Sequence, residues 1–156
     1  MIEQYKLSEM TRKNFSKAAN EIYLLTDYNH DQYPDYWKWY YEKSLPRVIE
    51  GTGEMIFCLD GFTIAGLSIL KKDPLEQKIC TLLIHEEYRK KGYSQSLLES
   101  SFDYLGTEKP LITIPTKRLE EFSKFIQAYN WQEVERTDKY YSEEIIFNQV
   151  KKLTKK

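Results

Sequence analysis

Long apolar runs are missing from this chain. The longest, Phe62 to Leu70, is far short of a membrane span, and the N-terminal MIEQYKLSEM lacks the basic and apolar regions of a signal peptide. The expectation is a cytoplasmic protein with no membrane partner. Cysteine is scarce: Cys58 and Cys80 each sit inside an apolar strand-like run, without CxxC or Cys/His spacing, and read as buried reduced thiols. Histidine is scarcer in effect, since His30 and His85 are too few and too far apart to suggest a metal site, so no metal is expected. Net charge is nearly absent as well. With 23 basic and 24 acidic residues the formal charge is -1, which gives no global field toward nucleic acid or an anionic membrane. Nucleic acid is therefore not expected as a partner, and any anion site must be local. Only six glycines and five prolines, with no repeat or low-complexity tract, exclude fibrous and disordered classes. The 156 residues suffice for one domain with a real core, read as 1–150 with a basic tail, KKLTKK, at 151–156.

What is present reads as alternating strands and helices. IEQYKL (2–7) alternates as a short strand, and Ser8 is placed to cap a helix running to about Leu25. Seven aromatics then fall within fourteen residues: Tyr28, Tyr33, Tyr36, Trp37, Trp39, Tyr40 and Tyr41. Pro34 and Asp35 predict a helix start there and Pro46 its end. EMIFCLD (54–60) and FTIAGLSILKK (62–72) predict a hairpin through Asp60-Gly61. KICTLLI (78–84), nearly all apolar, predicts a central strand. A helix follows from Ser94 to Leu105, with Gly106 as its cap, then a short strand LITI (111–114). Leu119, Phe122, Phe125, Ile126 and Tyr129 mark a last helix ended by Asn130, and strands at about 132–137 and 140–148 close the chain. The order is β-α-α-β-β-β-α-β-α-β-β, an α/β class with a mixed central sheet flanked by helices on both faces.

The chemistry concentrates in EYRKKGYSQS (87–96), between the apolar strand and the helix after it. Free amides and the positive end of a helix dipole suit a phosphate there. Gly92 lets an anion approach the backbone closely, while Arg89, Lys90 and Lys91 add attraction. The alternative reading of the same cations is a solvated surface. The phosphate loop of nucleotide hydrolases and the dinucleotide fingerprint are both absent.

The run Arg89-Lys90-Lys91-Gly92-Tyr93-Ser94 resembles the acyl-CoA loop of the GNAT superfamily of N-acetyltransferases. That pattern is Arg or Gln, two variable residues, Gly, one variable residue, then Gly or Ala; the departure is Ser94 at its last position. The segment TLLIHEEYRKKGYSQSLLE and the order of elements from Ile2 to Asn148 are also similar to that superfamily. Asn130-Trp131 stands where the family usually has Gly-Phe. The resemblance implies transfer of an acetyl group from acetyl-CoA to a primary amine of a small molecule, peptide or protein, with no metal. It also implies that Leu82, Leu83 and Ile84 pair with the pantetheine arm and that Arg89, Lys90, Lys91, Gly92, Tyr93, Ser94 and Gln95 form the pyrophosphate loop, Arg89 mainly by shaping it. A non-catalytic acyl-CoA-binding sensor or partner module is the alternative. A third reading, acetylation of RNA-linked amines, finds no support in the near-neutral charge.

Catalytic residues do not carry over by position. The family's frequent tyrosine falls on Ile126, its asparagine on Leu119, and a glutamate that serves some members as base falls on Lys78. An amine must be neutral to attack a thioester, and a backbone N–H near Leu83 is placed to stabilise the oxyanion. Tyr129 and Tyr93 are within sequence reach of the thiol, or else serve packing. A nucleophilic Cys80 is disfavoured, because its apolar flanks predict an inert thiol. Tyr33, Tyr36 and Trp37 are the candidates for acceptor binding; the competing reading of the aromatic segment is helix packing and a homodimer contact.

Overall fold

Strand β4 (Gln77–Ile84) is apolar on both sides and lies fourth in a seven-stranded sheet of order β1-β2-β3-β4-β5-β7-β6. A strand covered on both faces needs such a sequence. The computed structural model describes residues 2–27, 34–138 and 143–149. The other strands are β1 (Glu3–Lys6), β2 (Gly53–Asp60), β3 (Thr63–Lys72), β5 (Leu111–Pro115), β6 (Glu133–Thr137) and β7 (Glu144–Phe147). Every neighbouring pair is antiparallel except β4 with β5. Residues 140–142 of the expected last strand, Tyr33, and the tail at 151–156 lie outside the described residues.

Helices cover both faces. On one face α4 (Tyr93–Leu105) and α5 (Leu119–Ala128) bury Leu97, Leu98, Phe102, Phe122 and Phe125 against Ile79, Leu82, Ile84 and Ile112. On the other, α1 (Arg12–Thr26) and a helical stretch made of α2 (Tyr36–Trp39), a π-turn (Tyr40–Ser44) and α3 (Leu45–Glu50) bury Ile22, Tyr36, Tyr40 and Val48 against Met55, Phe57, Leu67 and Ile69. Each fully buried Leu, Ile or Phe contributes about 1.5–3 kcal/mol. Ser68 and Ser101, both buried between β3 and α4, satisfy each other at 2.9 Å.

Two local expectations change. Ser8 caps no helix: it lies in a 3₁₀ turn (Leu7–Glu9), where its amide (3.0 Å) and hydroxyl both donate to Glu54. Glu54 is 3% exposed, and a buried carboxylate requires such donors, so Ser8 is used there and Thr11 caps α1 instead, through Asn14 N–H at 3.4 Å. Pro46 does not end its helix. The π-turn before it carries a Leu45 N–H to Tyr40 carbonyl bond across five residues, a wider spacing that relieves the clash a proline ring makes with the fourth carbonyl back. The hairpin at Asp60-Gly61 forms as expected, with Asp60 facing Thr63 and positive φ at Gly61 (64°).

Cys58 is fully buried, and burial pushes its thiol up to about 11. Cys80 is instead only partly buried, because it sits at an irregularity in β4. In the native protein at pH 8, Cys58 is therefore expected to resist a thiol reagent that modifies Cys80, and to react only on unfolding. Mass spectrometry of the labelled peptides checks this.

Candidate functional site

The site grows from the one parallel pairing in the sheet. β4 and β5 pair only at Lys78 with Leu111 and Ile79 with Ile112, and then separate. At the same point β4 bulges: Ile69 of β3 faces Thr81 and Leu70 faces Ile79, which leaves Cys80 as the extra residue. From Cys80 to Ile84 the edge of β4 on the β5 side has no strand partner among the described residues, so a wedge opens between two strands of the core sheet.

The backbone direction along that edge follows from alternation. His85 N–H donates to the Ala65 carbonyl of β3 at 2.9 Å, so Leu83, two residues back, also faces β3. Leu82 and Ile84 then direct their N–H and C=O groups into the wedge. Leu82 and Ile84 are thus the two residues of the expected trio whose main-chain groups face the wedge, while Leu83 supplies its side chain to the opposite core. Gly66 of β3 lies directly behind: a Cβ on it would come within 2.6 Å of Ile84 Cδ1 and 3.0 Å of the Leu83 carbonyl.

At the mouth of the wedge the chain passes a 3₁₀ turn (Glu86–Tyr88) and enters α4. Lys90 (φ 64°) and Gly92 (φ 87°) both take left-handed backbone, which folds the loop back over the helix start. Gly92 holds the N-cap position without a side-chain cap, and the first intrahelical bond runs from Ser96 N–H to the Gly92 carbonyl. The amides of Tyr93, Ser94 and Gln95 therefore have no intrahelical acceptor, the arrangement that receives anions. Ser94 is half-buried in this first turn.

Neighbouring groups fix the helix start. Gln4 of β1 donates its side-chain amide to Ser96 and accepts from Ser100. Tyr88 donates to Asp60 at 2.9 Å, tying the loop to the β2–β3 hairpin, and that carboxylate pushes the Tyr88 hydroxyl pKa up. Tyr93 packs edge-on to Tyr88, with centroids 5.4 Å apart, and so serves the loop's shape. Gln95 donates to the Tyr129 hydroxyl at 2.9 Å, while the Tyr129 ring packs on Phe102 and Trp131.

Arg89, Lys90 and Lys91 are exposed. Replacing Lys90 and Lys91 together with glutamine is expected to weaken binding of a polyphosphate ligand only a few-fold, with a difference that fades at high salt. Calorimetric titration at two ionic strengths measures it. Tyr36 is 5% exposed and stacks on Tyr23 at 6.0 Å, so it packs the core, whereas Trp37 is 52% exposed. Arg118 lies in the 3₁₀ turn Thr116–Arg118 that precedes α5. It reaches into the wedge, donating from Nη2 to the Leu82 carbonyl at 3.2 Å, a contact across 36 residues with no local signal. A separate groove of about 490 Å³ near the C-terminal end of α4 is lined by Glu99, Asp103 and Glu108, carboxylates unsuited to a phosphate ligand. Among the described residues no group of three His, Cys, Asp or Glu could hold a metal, and no helix is long and apolar enough to cross a membrane.

This fold is shared with solved structures of GNAT-family acetyltransferases. A protein of Pyrococcus horikoshii OT3 shares it at 18% identity and a TM-score of 0.63, over 96% of this chain and 99% of that one. An acetyltransferase of the GNAT family from Bacillus cereus does so at 16% identity and 0.60, over 94% and 95%. The NatC complex bound to Gag peptide and CoA matches at 15% identity and 0.51, over 60% of this chain and 68% of that one. No family model and no curated protein matches the sequence.

Proposed function

We propose that the protein transfers an acetyl group from acetyl-CoA to a primary amine. One observation carries this reading: an unpaired strand edge, Cys80 to Ile84, leads directly to the uncapped amides of α4. A ligand matching both has hydrogen-bonding amides at one end and a phosphate at the other. The pantetheine arm extends the sheet at Leu82 and Ile84, as a peptide adds to a strand edge, and the pyrophosphate rests on the amides of Gly92 to Gln95. A neighbour of the same fold is recorded with CoA and a peptide, which supports this donor and an amine-bearing acceptor.

With the phosphates fixed at the loop, the thioester lies deeper, toward the bulge at Cys80. The Leu82 N–H, aimed into the wedge, is placed to take up the developing oxyanion. A neutral amine attacks the carbonyl carbon, the C–N bond forms, the C–S bond breaks, and CoA leaves as the thiol after taking up the proton that the nitrogen releases.

Calorimetric titration with CoA, followed by thiol release from acetyl-CoA over a panel of polyamines, amino acids, antibiotics and peptides, tests the proposal. Turnover with any acceptor supports it. CoA binding without turnover across the panel favours a sensor or partner module, a reading kept by Ile126 and Leu119 at the positions where the family has a tyrosine and an asparagine. Failure to bind CoA overturns both.

A further inference from the structure

We propose that Arg118 stabilises the thiolate that leaves the thioester. The inference rests on the acetyl-CoA reading above and adds a residue that the loop and strand pattern does not supply. Entering from the phosphate end, the arm passes Ile84 before Leu82, so the sulfur lies over the inner half of the wedge. Arg118 Nη2 is already there, 3.2 Å from the Leu82 carbonyl, with its side chain 26% exposed. Its guanidinium lies over the Phe122 ring at 5.3 Å and is steadied by Glu121 at 3.2 Å. The titratable side chains on the adjoining elements are Lys78 and Cys80 on β4, His85 just past its end, Lys117 in the turn, and Glu120, Glu121 and Lys124 on α5; within the described residues Arg118 ion-pairs with Glu121.

A guanidinium carries five N–H donors in a planar fork. One bonded to Leu82 leaves others free to face the sulfur, and a carbonyl oxygen with two lone pairs can accept from Arg118 and from a pantetheine amide together. When the C–S bond breaks, the electron pair stays on sulfur. Arg118 holds that anion by charge and keeps its own proton; the thiolate is later protonated by the proton from the acetylated nitrogen, relayed through water.

The test needs no acceptor. The thiol of CoA bound to the protein is titrated by its ultraviolet thiolate absorbance, with bound desulfo-CoA as blank, in wild type, R118Q and R118K. The midpoint is expected to lie about one unit higher in R118Q than in wild type, which makes the thiolate about tenfold scarcer below it, and R118K is expected to fall between. A residue that merely packed the turn would leave the midpoint unmoved. Equal midpoints in wild type and R118Q, with CoA bound to both, would overturn the role of Arg118 and leave the acetyl-CoA reading intact. Absence of CoA binding to wild type would overturn both.

Discussion

Gly92→Val is expected to weaken CoA binding about a hundredfold in a chain that still folds. The reason is backbone conformation rather than space: at Gly92 φ is 87°, and the nearest atom to an added Cβ would be Ile2 Cδ1 at 3.8 Å. An L residue held in left-handed backbone costs roughly 1–2 kcal/mol, and a β-branched one is a marked outlier. The variant then has two courses. It keeps the loop and bears the strain, losing a few degrees of melting temperature, or it relaxes the loop and re-aims the amides of Tyr93 to Gln95. Valine's branched side chain also crowds the ligand side of those amides. Losing one or two hydrogen bonds to a charged phosphate, each roughly 1.5–3 kcal/mol, corresponds to the stated fold-change. Gly106→Val is the control. Gly106 has φ 77° and open space, but it lies at the opposite end of α4, so the same backbone cost should arise with CoA affinity unaltered. Calorimetric titration and thermal melts of both variants decide it; unchanged affinity in Gly92→Val would sink the phosphate-cradle assignment.

The element order was legible because its signals are local. Asp60-Gly61 has the chemistry of a tight hairpin, Gly106 (φ 77°) ends α4, and Asn130 (φ 55°) follows α5 in the left-handed conformation foreseen for it. The run Ile79 to Ile84, nearly all apolar, predicts a strand covered on both sides. What escaped the sequence depends on partners far along the chain. Ser8 looked like a cap until the buried Glu54, 46 residues away, claimed both its donors. Pro46 looked like a helix end because the π-turn that accommodates it has no sequence marker comparable to proline itself. The candidate site divides in the same way. Gly92 and the helix start were readable from one short stretch. The wedge was not, since it depends on β5 leaving β4 after Ile79, and neither was Arg118, whose partner on β4 is set by how α5 returns to the sheet.

Gly66→Val is expected to be the most destabilising single change near the site, by more than about 3 kcal/mol, and to weaken CoA binding along with stability. A Cβ at Gly66 would lie 2.6 Å from Ile84 Cδ1, 3.1 Å from Leu97 Cδ1 and 3.0 Å from the Leu83 carbonyl. Two of these atoms end flexible side chains, but Ile84 is 7% and Leu97 0% exposed, so neither has free volume to enter, and the third is backbone. Overpacking by a single methylene already costs roughly 1–3 kcal/mol, and valine adds three carbons. Relief requires β4 to shift or α4 to lift from β3, and either motion separates the strand edge from the helix start that the same ligand must bridge. Gly66→Ala should cost less, about 1–2 kcal/mol. Pairing it with Ile84→Val, which removes the Cδ1 in closest contact, should cost less than the two single changes added together. Urea unfolding of the four proteins in that cycle gives the coupling; strict additivity, or a Gly66→Val protein within about 1 kcal/mol of wild type, would show that β3 and β4 are not locked at this point and that the wedge does not depend on their close approach.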